Sequence, residues 1–448
     1  MNPQIFREYD IRGVVDKDLT PKIVETLGKA FGSYIQDFQG KEIVVARDNR
    51  LSSKLYRDAL ISGIVSTGCS VLDIGEVPSP VFYFSLIHYE KDGGMMITAS
   101  HNPPEFNGFK ISRGHSSIYG EEIQKLRKII ESGKFREGKG QISSKDPRAA
   151  YLSCLKERVN LKRELKVVVD AGNGTTSDLA PSLLEELGCR VIKLYCESDG
   201  RFPNHHPDPT IPDNLKDLIA TVQKEKADLG IAYDGDGDRI GVVDEKGKII
   251  WGDRLMIIFA RKILKKHPGA KVVFEVKCSQ SLIEEIEKAG GVPLMWKTGH
   301  SLIESKIREE GALLAGEMSG HIYFADNYFG YDDAIFASCR LVEILSGTEK
   351  RLSQLLEGVT EYHSTPEIRI ECPDEKKFEV VEKVKKYFRE KYEIIDIDGV
   401  RVLFGDGWGL VRASNTQAVL VLRFEARTEK RMEEIKSLVM TKLKEVIG

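Results

Sequence analysis

EIVVARDNR (Glu42–Arg50), KVVVDAGNG (Lys166–Gly174) and KVVFEVKCS (Lys271–Ser279) are versions of one segment, a β-branched run followed by a polar turn. Such runs, bounded by turn residues, read as buried strands. Each precedes a helical stretch: KLYRDALISGIVSTG (54–68), SDLAPSLLEELG (177–188) and SLIEEIEKAG (281–290). Each stretch stops at glycine, which suits the C′ position of a helix. A second strand follows in each copy: SVLDIG (70–75), RVIKLY (190–195) and VPLMWK (292–297). Strand, helix, strand at this length is a βαβ unit, so the repeat predicts parallel sheets covered by helices.

Further along, each copy has a short apolar strand ending in a polar, glycine-containing loop. These are MMITASHNPPEFNGFKIS (95–112), LGIAYDGDGDRIGVV (229–243) and ALLAGEMSGHIYF (312–324). The loops hold equivalent positions in the repeat, so copies that face a common centre bring them together. Loops on a rigid α/β scaffold are where function concentrates. From about Ser364 the pattern changes. PEIRIECPDE (366–375), a charged helix (376–392), IIDIDGVRVLFGDGWGLVRASN (394–415) and a closing helix (430–448) predict an antiparallel α+β unit. The sequence therefore divides into α/β units over 1–146, 147–250 and 251–363, with mixed, mainly parallel sheets, and an α+β unit over 364–448.

The 448 residues carry 66 basic and 69 acidic side chains, a net charge of −3. A balance so close to neutral argues against nucleic acid and anionic membranes as partners. The seven cysteines form no CxxC pair, which removes zinc-ribbon and thioredoxin-type readings and suggests reduced thiols. The start, MNPQIFREYD, lacks the basic and apolar regions of a signal peptide, and no apolar stretch is long enough to span a bilayer. A cytoplasmic protein, monomeric or weakly homo-oligomeric, is expected.

In the second loop Asp234, Asp236 and Asp238 alternate with Gly235 and Gly237. Carboxylates this close repel unless a cation offsets them, and an all-oxygen set suits Mg²⁺. An EF-hand loop would place Glu245 at its twelfth position, but Arg239 stands at the sixth, where that loop needs glycine. The flanks also read as strands, not helices. In the first loop, Ser100 beside His101 does not make a hydrolase pair, because GxSxG is absent and sequence neighbours rarely serve as nucleophile and base. Beside a metal loop, however, Ser100 can carry a phosphoryl group. His101 is a candidate support, and Lys110 a candidate proton carrier or phosphate contact. The third loop offers Glu317 and Ser319 for sugar hydroxyls. In the last unit Arg412, Ser414, Asn415 and Thr416 suit a phosphate dianion, and the preceding GDGWG reads as flexible.

Taken together, TASHNP, DGDGDR, GEMSGH and RASNT resemble the four signature loops of the phosphomannomutase/phosphoglucomutase family of the α-D-phosphohexomutase superfamily, in order and over the whole length. FREYDIRG and WKTGHS also resemble family segments. The resemblance implies three repeated α/β domains and a TATA-binding-protein-like fourth. It implies interconversion of hexose 1-phosphate and hexose 6-phosphate through a phosphorylated Ser100 and a bound hexose 1,6-bisphosphate. It makes Ser100, Asp234, Asp236 and Asp238 the Mg²⁺ ligands. Arg12 and Lys110 become proton-transfer candidates, Lys110 the better one because arginine seldom releases a proton. His101 and Arg239 complete the catalytic set. Tyr9, Lys277, Lys297, His300, Glu317, Ser319 and His321 would surround the sugar, and Arg412 to Thr416 would hold the phosphate not being transferred. One departure is Gln417-Ala418, where many relatives carry an acidic residue or threonine and then proline. Phosphoglucosamine mutase is the nearest alternative, and a Mg²⁺-dependent sugar phosphatase would use the same groups with water as acceptor.

Overall fold

The computed structural model describes residues 1–447. Three of its sheets share one central order. In the first, Ser70–Glu76, Glu42–Arg47 and Gly93–Ile97 run parallel, and Phe106–Arg113 is added antiparallel to the last of these. The second sheet repeats this with Arg190–Leu194, Lys166–Asp170, Leu229–Tyr233 and the reversed Ile240–Asp244. The third does so with Val292–Trp296, Lys271–Glu275, Leu314–Gly316 and the reversed Ile322–Phe324. Each polar loop therefore joins the third strand to the reversed fourth, at the carboxyl ends of the parallel strands, where open α/β sheets hold ligands. Ile11–Val14 extends the first sheet and pairs Arg12 with Gly108, which brings the N-terminal segment alongside the Ser100 loop.

The predicted helices form at Ser53–Val65, Leu179–Glu186 and Gln280–Lys288. Gly188 and Gly290 immediately follow the cap residues Leu187 and Ala289, as expected for C′. In the first copy the expectation is off by one residue. Its cap is Ser66, and the Thr67 hydroxyl donates to Ile64 O (2.7 Å) before Gly68 is reached. One apolar cluster runs through all three sheets, including Phe82, Tyr151, Val169, Tyr233, Phe274 and Phe336. The repeats are thus packed on one another, and their loops are fixed in relation.

The last sheet is antiparallel throughout, with Val419–Ala426 and Gly407–Ala413 at its centre. Helices Asp374–Arg389 and Glu429–Ile447 bury Val384, Phe388, Ile435 and Val439 against one face. Alternation along Gly407–Ala413 sends Trp408 and Leu410 to the opposite face, against Val276 of the third unit. In GDGWG, Gly407, Trp408 and Gly409 belong to this strand. Trp408 is buried, its indole N–H donates to Glu425 Oε1 (2.8 Å), and the Arg401 guanidinium lies 3.7 Å above its ring. Arg401 in turn donates to the carbonyls of Val276 (2.8 Å) and Cys278 (2.9 Å), joining the last unit to the third.

Candidate active site

Ser100 stands three residues beyond the end of the strand Gly93–Ile97 and has φ +50°, a left-handed conformation that costs a non-glycine residue energy. Its amide donates to Thr98 Oγ1 (2.9 Å). The buried hydroxyl donates to Asp234 Oδ2 (2.7 Å) and lies 3.1 Å from His101 Nδ1. The two loops meet closely because residue 235 is glycine: a Cβ there would stand 2.6 Å from the Ser100 carbonyl oxygen. Burial, with Arg239 and Arg12 nearby, pushes the His101 pKa well below the usual histidine range, so this imidazole is neutral.

Asp234, Asp236 and Asp238 are all fully buried. Asp234 Oδ1 turns back on its own loop and accepts from the amides of Gly237 (3.0 Å), Asp238 (3.1 Å) and Arg239 (3.2 Å). Asp236 Oδ2 accepts from Ser79 Oγ (2.7 Å) and Lys110 Nζ (2.7 Å), and Asp238 Oδ2 also accepts from Lys110. The second oxygens, Asp236 Oδ1 and Asp238 Oδ1, are buried with no partner. A ligand oxygen from each of the three carboxylates lies within 4.8 Å of the others. Such a donor set, with two orphaned anionic oxygens, fits a hard dication. Burial first, then Asp238 and Asp236, raise the Asp234 pKa well above the carboxylate range. Glu245 accepts instead from Ser353 Oγ (2.6 Å), and the flanks of the loop are strands, so the EF-hand alternative is excluded.

Lys110 sits on the strand Phe106–Arg113 with its ammonium between Asp236 and Asp238. Burial works to lower its pKa, but the two carboxylates outweigh it and hold the group well above its ordinary value. In this arrangement the Lys110 ammonium bridges the two carboxylates. Arg12 donates to Asp10 Oδ2 (2.5 Å) and to Asn102 of the serine loop.

Arg239 connects the second loop to the third. Its Nε donates to His321 Nε2 (2.9 Å), and the Ile240 amide donates to Gly320 O (3.1 Å). The other His321 nitrogen is 2.8 Å from Asp332 Oδ2. Glu317 Oε1 accepts from the Gly299 amide (2.6 Å), and Oε2 from Ser319 Oγ (3.0 Å). A ladder of rings crosses the centre: His321 to His300 at 6.0 Å, and His300 to Tyr9 at 5.9 Å between centroids. Gly299, at φ +137°, admits the Tyr9 ring, since a Cβ would fall 2.4 Å from Tyr9 Cζ. The Tyr9 hydroxyl donates to Thr298 O (2.6 Å) and accepts from Asn415 Nδ2 (2.6 Å), touching three units at once.

At the far end, Arg412 is buried and its Nε donates to Asp398 Oδ2 (2.9 Å). The Ser414 hydroxyl accepts from the amides of Thr416 (3.3 Å) and Gln417 (3.1 Å), which shapes the loop. Lys277 Nζ donates to Glu367 Oε2 (3.0 Å), and Lys297 is exposed. The sequence candidates thus gather in two connected groups. One surrounds Ser100 and the Asp cluster; the other surrounds Tyr9, His300, Glu317 and Arg412.

Comparison with known proteins agrees with this arrangement. Models of phosphoglucomutase/phosphomannomutase α/β/α domains I, II and III match residues 3–137, 149–247 and 251–362, and the model of the C-terminal domain matches 367–442. The chain belongs to the phosphoglucomutase/phosphomannomutase family. It is 48% identical to a phosphomannomutase/phosphoglucomutase of Pseudomonas aeruginosa over 99% of this chain and 96% of that protein. It is 44% identical to a phosphoglucomutase of Neisseria gonorrhoeae over 97% of this chain and 95% of that one. A crystal structure of a phosphoglucomutase/phosphomannomutase family protein from Burkholderia thailandensis superposes with TM-score 0.94 at 42% identity, covering 99% and 97% of the two chains. Among the described residues no helix is long and apolar enough to cross a membrane.

Several groups in this family member lie outside the motifs. Glu275 accepts from Thr298 Oγ1 (2.9 Å) and the Lys277 amide (2.9 Å), Asp398 pairs with Arg412, and Asp332 faces His321. Each is a single carboxylate at a strand end or turn, outside any recognisable pattern of residues. His205 is another. Its Nε2 is 3.1 Å from buried Asp170 Oδ2 and its Nδ1 is 2.9 Å from His206 O, so the imidazolium satisfies both acceptors. Burial opposes the charge, but Asp170 prevails and raises the pKa above 6.5. The pair therefore stabilises the fold fully below the unfolded pKa, and that contribution fades as pH rises through the folded value. The stability advantage of wild type over His205→Asn is expected to be larger at about pH 6 than at about pH 8.5. Equal advantages in urea melts at both pH values would rule this out.

Proposed function

We propose that the chain interconverts hexose 1-phosphate and hexose 6-phosphate, of mannose or glucose, with Ser100 as phosphoryl carrier. The observation that carries the reading is the Ser100 hydroxyl, buried and 2.7 Å from Asp234 in a cluster of three carboxylates. Phosphoserine donates its phosphoryl group to a sugar hydroxyl: the Ser100 Oγ–P bond breaks, a sugar O–P bond forms, and the proton of that hydroxyl passes to the departing Ser100 oxygen. The product is a bound hexose 1,6-bisphosphate, which returns its other phosphoryl group to Ser100 after turning round. Asp234, Asp236 and Asp238 would hold Mg²⁺, which when bound offsets charge on the transferring oxygens. Arg12 and Arg239 face the same loop and add fixed positive charge. Lys110 and Arg12 are the proton-transfer candidates beside Ser100, and His321, whose Nε2 accepts from Arg239, borders the sugar site. Glu317 and Ser319 suit the 3- and 4-hydroxyls, and Arg412 with Asn415 suits the phosphate at rest.

A coupled assay with glucose 1-phosphate, mannose 1-phosphate and glucosamine 1-phosphate side by side tests the reading. Turnover of the first two, dependent on hexose 1,6-bisphosphate, is expected. Release of inorganic phosphate without isomerisation would replace the mutase with a phosphatase, and a preference for the amino sugar would make it a phosphoglucosamine mutase.

The phosphate end gives a separate prediction. Truncating a charge-assisted phosphate contact costs on the order of 2–5 kcal/mol. Arg412→Ala should raise KM and lower kcat/KM for glucose 1-phosphate and mannose 1-phosphate alike. Ser100 should still take up phosphate from glucose 1,6-bisphosphate. An unchanged KM for both substrates would remove Arg412 from the phosphate site.

A further inference from the structure

Arg50 lies in the polar turn between the strand Glu42–Arg47 and the helix Ser53–Val65, outside the four loops in sequence, and is 1% exposed. An arginine carries five N–H donors in a rigid fork. Here every one is engaged. Nε donates to Asp48 Oδ2 (3.0 Å), one terminal nitrogen to the carbonyls of Pro103 (2.6 Å) and Phe106 (3.0 Å), and the other to those of Ser100 (2.8 Å) and Asn102 (2.6 Å). Four of these acceptors are backbone carbonyls of the one loop that carries Ser100. Asp48 is itself fixed by Ser53 Oγ (2.5 Å) and the Arg50 amide (3.1 Å). From the second unit, Phe202 places its ring 5.2 Å from the guanidinium carbon.

We infer that Arg50 is the positioning residue for Ser100. It gathers the carbonyls of the loop, keeps Ser100 in its left-handed conformation and so aims the hydroxyl at Asp234. With all its donors engaged, Arg50 has none to offer a phosphosugar, so its effect falls on the chemistry at Ser100 and not on substrate affinity. Left-handed backbone at a non-glycine residue persists only where surrounding contacts over-determine it, and here the Arg50 fork supplies those contacts. Lysine cannot substitute, because a single ammonium does not reach four diverging carbonyls.

The inference rests on Ser100 being the phosphoryl carrier, and one experiment separates the two. Wild type and Arg50→Lys are mixed with glucose 1,6-bisphosphate and Mg²⁺, and Ser100 phosphorylation is followed by intact mass alongside steady-state turnover. Misplacing a reacting group by about 1 Å costs about 10²-fold in rate. Arg50→Lys should therefore show kcat and the phosphorylation rate lowered together by about that factor, with KM changed by less than about threefold. Adding guanidinium ion to Arg50→Ala should restore part of the phosphorylation rate. Phosphorylation of Arg50→Lys at the wild-type rate, or a loss confined to KM, overturns the positioning role. No phosphate on wild-type Ser100 overturns the carrier assignment instead. If the Arg50 variants do not fold, Asp48→Asn, which loosens Nε, should lower kcat at unchanged KM, and an unchanged kcat overturns the inference.

Discussion

Ser100→Ala is expected to lower mutase turnover by about 10⁴-fold or more, the scale on which enzymes lose rate when a covalent nucleophile is removed. The expectation comes from where the oxygen sits. Ser100 Oγ is buried, donates to Asp234 Oδ2 at 2.7 Å and stands 3.1 Å from a His101 ring that burial keeps neutral. No neighbouring hydroxyl can take over. Thr98 Oγ1 is engaged with the Ser100 amide and Asp236, and Ser79 Oγ with Asp236 and Lys110. The alanine variant should fold, because the backbone contacts of Ser100 do not need its hydroxyl. Intact mass should show a phosphate adduct on wild-type protein that glucose 1,6-bisphosphate cannot restore in the variant. Turnover within tenfold of wild type, at an equal melting temperature, would transfer the carrier role to another group.

The repeat was readable because its strands are short β-branched runs between turn residues, a pattern set by burial on both faces. Placing the Ser100, Asp234 and Glu317 loops at equivalent positions followed from it, since each loop precedes the reversed strand of its sheet. Side-chain partnerships between loops were not readable. Arg50, Asp398 and Glu275 look like ordinary charged residues near strand ends. Only the fold within each unit puts Arg50 under the Ser100 loop, Asp398 against Arg412 and Glu275 beside Thr298. Lys110 shows the same limit. As a lysine near a phosphoryl carrier it reads as a proton-carrier candidate, and the packing adds what the sequence does not show, the ammonium set between Asp236 and Asp238. Ser414 reads as a phosphate contact, and its hydroxyl also accepts from two amides of its own loop, which leaves its O–H to donate. In GDGWG, three glycines suggested mobility. Trp408 takes the buried position that strand alternation gives it beneath Arg401.

Removal of divalent metal should abolish turnover by about 10³-fold or more while leaving the fold intact. The loss follows from the several kcal/mol of charge stabilisation that a bound dication contributes to phosphoryl transfer. Survival of the fold follows from Lys110. Three fully buried carboxylates would repel strongly, but the Lys110 ammonium already offsets Asp236 and Asp238 through their Oδ2 atoms. Asp236 Oδ1 and Asp238 Oδ1 remain without partners and available to a cation. EDTA-treated protein should therefore melt cooperatively at a temperature close to that of the untreated protein, and Mg²⁺ should restore activity. Ca²⁺ should bind and inhibit, being larger and less tied to octahedral geometry. Lys110→Met separates the contributions. With the ammonium gone, metal-free protein should lose about 3–5 kcal/mol, the cost of breaking a buried ion pair. Mg²⁺ should recover part of that stability, because it binds the folded cluster in preference to the unfolded chain. Equal denaturation midpoints for Lys110→Met with and without Mg²⁺, or full turnover in EDTA, would remove the metal from the Asp234–Asp238 cluster.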